Sequence, residues 1–76
     1  MATNRDDRRF LHDLGFRIRE RRQAVGLTQD QLAEKCDLHR TYVGSVERGE
    51  RNFSILNLRS IAKALRITLP ELVRLD

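Results

Sequence analysis

The stretch Arg40-Thr41-Tyr42-Val43-Gly44-Ser45, continued by Val46-Glu47-Arg48-Gly49, places a forked cation, two small hydroxyls and a glycine on one short candidate helix. A guanidinium presents a planar set of donors to a base edge or an oxyanion, and a hydroxyl can both donate and accept. Glycine inside a helix costs about 1 kcal/mol relative to alanine. A face turned to solvent would gain propensity from Ala, Glu or Lys at Thr41, Gly44 and Ser45, so a plain solvated helix accounts poorly for these choices. A face that presses on another surface accounts for them directly.

At 100° per residue, Val43, Val46 and Glu47 fall on one side, while Thr41, Gly44, Ser45 and Arg48 fall on the other, flanked by Arg40 and Tyr42. The DNA major groove admits one α-helix whose first turn reaches the base edges. Arg pairs there with guanine O6 and N7, and Thr with a polar edge or a thymine methyl. Arg40 and Thr41, in that first turn, are therefore the candidate base-reading residues; Ser45, one turn later on the same side, is placed to contact a base or a phosphate, with Gly44 allowing close approach.

Such a helix needs a scaffold, and the spacing elsewhere predicts one made of helices. Phe10, Leu11, Leu14, Ile18 and Val25 repeat at helical intervals in helix 1, ended by Gly26. Thr28-Gln29-Asp30-Gln31 is a capping box that opens helix 2, which runs to about Cys36 and buries Leu32 and Ala33. Asp37-Leu38-His39 is a turn of the length that joins the two helices of a helix-turn-helix, and helix 3 follows from about His39 to Arg48, with Gly49 as its C-terminal cap. Ser54 begins helix 4, with Ile55, Leu58, Ile61, Ala62 and Leu65 in period. Thr68-Leu69-Pro70-Glu71 is a second capping box, with proline where its missing amide hydrogen costs nothing, and opens a short helix 5. Five helices with short connections and no strand signal give a compact all-α domain over residues 10–76, preceded by an N-terminal arm or helix 1 extension over residues 1–9.

The totals agree with a single small domain. Of the fifteen basic residues, thirteen are Arg and only Lys35 and Lys63 are Lys, against eleven carboxylates, a net charge of +4. That bias suits bidentate contact with phosphate or bases. The lone Cys36 excludes an internal disulfide and points to a reducing cytosol. MATNRDDRRF lacks the apolar core of a signal peptide and no long apolar run exists, so a cytoplasmic chain without membrane attachment is expected.

Two strings, FRIRERRQAVGLTQDQLAEKC and LHRTYVGSVERGERNFSILNLRSIAKALRITLPELV, spanning residues 16–73, resemble the phage-repressor-like helix-turn-helix proteins, the Xre family. The resemblance implies a five-helix, lambda-repressor-like fold, double-stranded DNA as partner, homodimers on a palindromic operator, and control of transcription. It implies that Gln29 contacts a phosphate through its amide and side chain, that Arg40, Thr41 and Ser45 read bases, and that Tyr42 lies near the backbone or the operator centre. It also implies that Arg51 and Asn52 hold phosphates, and that Arg22 of helix 1 bonds Glu47 of helix 3. Asp37 stands at a turn position where the family commonly has glycine, His39 at a cap commonly Ser or Thr, and Arg21 where leucine is frequent. Within the family, the length and the RTYVGSVERGERN segment resemble controller proteins of restriction-modification systems.

Helix 5 carries Leu69, Leu72, Val73 and Leu75 close together, more apolar surface than one short helix buries within its own domain. Leu69, Val73 and Leu75 are the candidate dimer interface, which would set two copies of helix 3 about 34 Å apart. The alternative from another class is an antitoxin-like protein-interaction module with secondary DNA binding; an adaptor that bridges other factors without reading bases would tolerate loss of Arg40. Cys36, His39 and His12 lack the paired spacing of a structural zinc site, so no metal is expected. No phosphate loop or nucleophile-base spacing is present, so no enzymatic activity, cofactor or small-molecule effector is expected. The basic run of helix 1 reads as a solvated face, with Arg17, Arg19 and Arg21 as weaker phosphate candidates.

Overall fold

Each helix begins on a side chain that accepts a hydrogen bond from its own first turn. In a computed structural model that describes residues 4–75, Asn4, Thr28, His39, Ser54 and Thr68 precede α1 (Arg5–Ala24), α2 (Gln29–Cys36), α3 (Arg40–Glu47), α4 (Ile55–Ala64) and α5 (Leu69–Val73). Their side chains accept from the amides of Asp7, Gln31, Thr41, Asn57 and Glu71 respectively. Gln31 and Glu71 reach back to the amides of Thr28 and Thr68, completing both capping boxes. The bonds from Thr68 hold the exposed Glu71 carboxyl below the usual carboxylate range, so this cap is fully formed above that range and weakens as pH falls through it.

The helix ends use the left-handed region where the chain must turn. Gly26 and Gly49 have φ of 78° and 75°, and Asp37, with φ 55°, fills the turn between α2 and α3. Aspartate tolerates this conformation better than most residues.

The core gathers Leu14 and Ile18 from α1, Leu32 and Ala33 from α2, Val43 and Val46 from α3, Leu58, Ile61, Ala62 and Leu65 from α4 and its cap, and Leu72 from α5. Two apolar residues expected in the helical stripes lie outside it. Helix 1 begins at Arg5, not Phe10, and Phe10 is 49% exposed on a surface hollow that it shares with Phe53 and Val73. Ile55, the first residue of α4, is 64% exposed. The expected arm or extension over residues 1–9 is helix from Arg5 onward, and residues 1–3 lie outside the described residues.

Much of the arginine face of α1 is occupied by the fold itself. Arg21 donates from Nε to the Leu65 carbonyl at 3.0 Å and from Nη2 to the Arg66 carbonyl at 3.1 Å. Arg17 donates to the Glu71 carbonyl at 3.0 Å. Helix ends leave carbonyls without intrahelical donors, and these guanidinia supply them. This corrects the view of Arg17 and Arg21 as solvated or phosphate-facing, and it explains an arginine where leucine is frequent among the proteins the sequence resembles.

At Gly15, α1 meets α3 backbone to backbone. A Cβ there would press on the Val46 carbonyl oxygen and stand 2.6 Å from that of Glu47. One at Gly49 would lie 2.7 Å from the His12 Cα. Neither obstacle is a flexible side chain. Gly15→Ala is expected to cost about 1–3 kcal/mol through overpacking. Thermal melting should show it as a drop of about 4–8 °C per kcal/mol.

Candidate nucleic-acid interface

Helix α3 is more deeply set than its sequence indicates. Val43 through Glu47 are all buried, with Val43 and Val46 at 1% exposure, and only Arg40 and Thr41 of the helix are exposed, Tyr42 being half-buried. The two-sided wheel is thus corrected at Gly44 and Ser45. Ser45, read from sequence as a base contact, is 6% exposed; its hydroxyl donates to the Tyr42 carbonyl and accepts from Arg51 Nε, both at 2.8 Å. The Arg51 guanidinium also lies 5.3 Å from the centre of the Tyr42 ring. The chain after Gly49 therefore folds back over Ser45, a tertiary contact invisible to a helical wheel. Gly44 forms the floor of a cleft lined by Gln29, Arg40, Thr41 and Arg48. A Cβ there would come within 3.2 Å of the Arg48 guanidinium and 3.6 Å of the Gln29 amide oxygen.

The inner side of α3 is held by charge. Arg22 Nε donates to Glu47 Oε2 at 2.6 Å and Nη2 to Oε1 at 3.1 Å, a two-pronged pair, while Nη1 donates to the Leu27 carbonyl at 2.8 Å. Gln29 Nε2 donates to Glu47 Oε1 at 3.0 Å. Arg22 and Glu47 are each 8% exposed. Burying two ions costs several kcal/mol each, and full pairing with added hydrogen bonds offsets that cost. One carboxylate at the end of α3 thereby joins α1, the turn after it and the start of α2.

Gln29, a phosphate contact by resemblance, here also bonds Glu47 within the domain. Its side-chain amide keeps a second proton. Its backbone amide is the first of α2, among those that helix geometry leaves without an intrahelical acceptor. Gln29 thus sits where an anion at the helix start would meet it, and one of its donors already serves the scaffold.

The outer side carries carboxylates that no motif revealed. Asp30 Oδ1 lies 3.5 Å from Arg40 Nε, and Glu50 Oε2 lies 3.0 Å from Arg48 Nε. All four side chains are more than half exposed, so the pairs are weak and exchangeable. Both guanidinia lie at the cleft rim. The His39 Nδ1 accepts from the Thr41 amide at 3.1 Å, so the unusual cap is made. Tyr42 is anchored to α4 by the Asn57 amide, which donates to its hydroxyl at 3.2 Å.

Arg51 is exposed, with its Nε bonded to Ser45 and its guanidinium against the Tyr42 ring. Asn52 is placed elsewhere, on the rim of a hollow that it shares with Asp7, Phe10, Phe53 and Val73. The candidate dimer residues Leu69, Val73 and Leu75 are half-buried against their own core. The larger exposed apolar side chains are Phe10, Phe16, Ile55 and Leu56.

Cys36 is half-buried and packs on the core, and burial pushes its thiol above the ordinary range. Among the described residues, no group of three His, Cys, Asp or Glu side chains is placed to hold a metal ion, and no helix is long and apolar enough to cross a membrane.

Comparison with known proteins places this geometry among relatives. Residues 18–72 match a protein family described as Helix-turn-helix. The control protein C.SmaI of Serratia marcescens is 48% identical over 60 residues, which cover 79% of this chain and 71% of that protein. The control protein C.BamHI of Bacillus amyloliquefaciens is 42% identical over 60 residues, 78% of this chain and 74% of that one. Among solved structures, the restriction-modification controller protein C.AhdI from Aeromonas hydrophila superposes with a TM-score of 0.80 at 50% identity, covering 82% of this chain and 94% of that chain.

Breaking the buried pair from one side strands a charge. Glu47→Ala is expected to destabilise the fold by about 3–5 kcal/mol, and the Arg22→Ala/Glu47→Ala double variant by clearly less than the sum of the single changes. Urea unfolding of the four proteins in the cycle checks this.

Proposed function

The chain belongs to the helix-turn-helix family of phage-repressor-like, Xre-type regulators, and from that premise we propose that it is a sequence-specific DNA-binding transcriptional regulator acting as a homodimer on a palindromic operator, as a restriction-modification controller. The observation that carries the proposal is the exposure of Arg40 and Thr41 on the first turn of a helix whose other end is locked by Arg22 and Glu47. A rigid helix with a short polar tip suits major-groove reading.

In this reading Arg40 exchanges its weak pair with Asp30 for the acceptors of guanine, and Thr41 contacts the neighbouring base. The first amide of α2, at Gln29, receives a phosphate, aided by the helix dipole. Arg51, braced by Ser45 and the Tyr42 ring, delivers its terminal nitrogens to the backbone, and Tyr42 lines the same strand. Ser45 thus serves DNA through Arg51 and not by touching a base.

Two copies associate through α4 and α5, using the outer sides of Leu69, Val73 and Leu75 with the exposed Ile55 and Leu56. A two-fold axis there sets the reading helices about 34 Å apart, one turn of DNA. Control then runs through the concentration of the protein in the cytoplasm, by dimerisation and operator occupancy, without a small-molecule effector.

Arg40→Ala is expected to weaken a specific site by about 1–3 kcal/mol and to relax preference at one base pair, whereas Arg51→Ala should weaken all sequences alike and lower the salt slope by about one unit. Titrations on specific and random duplexes at several salt concentrations separate the two. Equal losses on both duplexes for Arg40→Ala would refute the base-reading role.

A further inference from the structure

The only two lysines of the chain meet at one place. Lys35 near the end of α2, Ser60 and Lys63 on α4, and Arg66 just past α4 line a single surface cavity of about 450 Å³, with Ala64 between them and no carboxylate on its walls. Lys35, Ala64 and Arg66 also border an adjoining hollow whose other walls are Val25 and Leu27. Elsewhere Arg9, Arg22, Arg40 and Arg48 each have a carboxylate within 4.0 Å. Among the described residues, Lys35, Lys63 and Arg66 have none.

Arg66 adds a second observation. It sits at φ 59°, a left-handed position after a helix where glycine or asparagine is cheaper, and yet a long cationic side chain is kept there. Its carbonyl is held by Arg21, which fixes the turn.

This cluster is separate from the cleft at α3, and the two share no lining residue. Lys35 lies about 120° around α2 from Gln29, and Lys63 lies about 9 Å along α4 from Asn57, the residue that anchors Tyr42. With the duplex on α3 as proposed above, no residue of the cluster belongs to the reading cleft. A second copy of the chain is disfavoured there, because it would set three cations against three.

We propose that this cation cluster and the apolar hollow beside it form a docking site for a partner protein, through an acidic segment that carries an apolar side chain. Carboxylates pair with Lys35, Lys63 and Arg66, Ser60 donates to one of them, and the apolar residue covers Val25 and Leu27. The hollow selects a peptide over a bare phosphate, which has nothing to place in it. The site lets a regulator seated on DNA hold a second macromolecule at the same time.

The test uses the full chain and a short fluorescein-labelled peptide of Glu-Asp pairs separated by single leucines, followed by polarisation. The variant Lys35→Gln/Lys63→Gln/Arg66→Gln should bind it about tenfold more weakly, the sum expected from three surface ion pairs. The control Arg5→Gln/Arg8→Gln/Arg19→Gln, with the same change in charge, should lose less than about half its affinity. Replacing the leucines by serine should also weaken binding, and thermal melting confirms that both variants are folded. Peptide bound to the protein alone should remain bound when operator duplex is added. Equal losses in the two triple variants, tighter binding of inorganic tripolyphosphate than of the peptide, or displacement of the peptide by duplex would each overturn the proposal. Failure of the protein to bind any duplex would remove the regulatory reading and leave the comparison between variants intact.

Discussion

The Arg22–Glu47 pair is the constraint on which the arrangement of this domain depends. Glu47 ends α3, and its carboxylate is reached by Arg22 from α1 and by Gln29 from the first residue of α2. Three helices therefore converge on two oxygen atoms. A hydrophobic contact could hold them together with comparable energy, but apolar surfaces slide. A two-pronged ion pair inside a low-dielectric site has one good geometry, so it fixes the rotation of α3 about its axis as well as its distance from the scaffold.

The weak intrinsic propensity of α3 follows from the same constraint. The helix has eight residues, with Gly44 in its interior and two valines and a threonine among the rest, and it would not persist alone in water. Its stability is tertiary. Gly15 and Gly49 allow α1 and the end of α3 to touch backbone to backbone, Val43 and Val46 enter the common core, and the folded-back Arg51 and Asn57 secure Ser45 and Tyr42. What stays exposed is small: Arg40, Thr41 and the Arg48 cap, the two guanidinia loosely paired with Asp30 and Glu50.

The parts legible in the sequence were those governed by local chemistry. The capping boxes at Thr28 and Thr68, the glycine stop at Gly49, the apolar period of α4 and the turn at Asp37 are decided within a few residues, and helix order and core followed from them. Side-chain placement was legible only where a family resemblance carried it, as for Arg22 and Glu47. Ser45 is buried where the wheel turns it outward, because a wheel describes one helix and cannot register a loop that closes over it. Arg21 and Arg17 were misread for the complementary reason: a charged side chain on an amphipathic helix reads as solvated unless the carbonyls it will meet, at Leu65, Arg66 and Glu71, are in view. Gly15 gave no local signal at all, being neither a turn nor a cap. Phe10 and Ile55 obey the helical period yet lie outside the core, because a period marks a face and not how far along it the neighbouring elements pack.

The outer surface of the domain thus divides into a braced reading tip, an apolar side on α4 and α5, and a distal cation cluster, each placed by the same small core. The central claim is that a helix locked from within presents Arg40 and Thr41 to DNA from two symmetry-related copies. Selection of bound duplexes from a pool of random sequence tests it most directly. The account predicts enrichment of an inverted repeat whose half-sites are centred about 10 base pairs apart; recovery of sequences indistinguishable from the starting pool would contradict it.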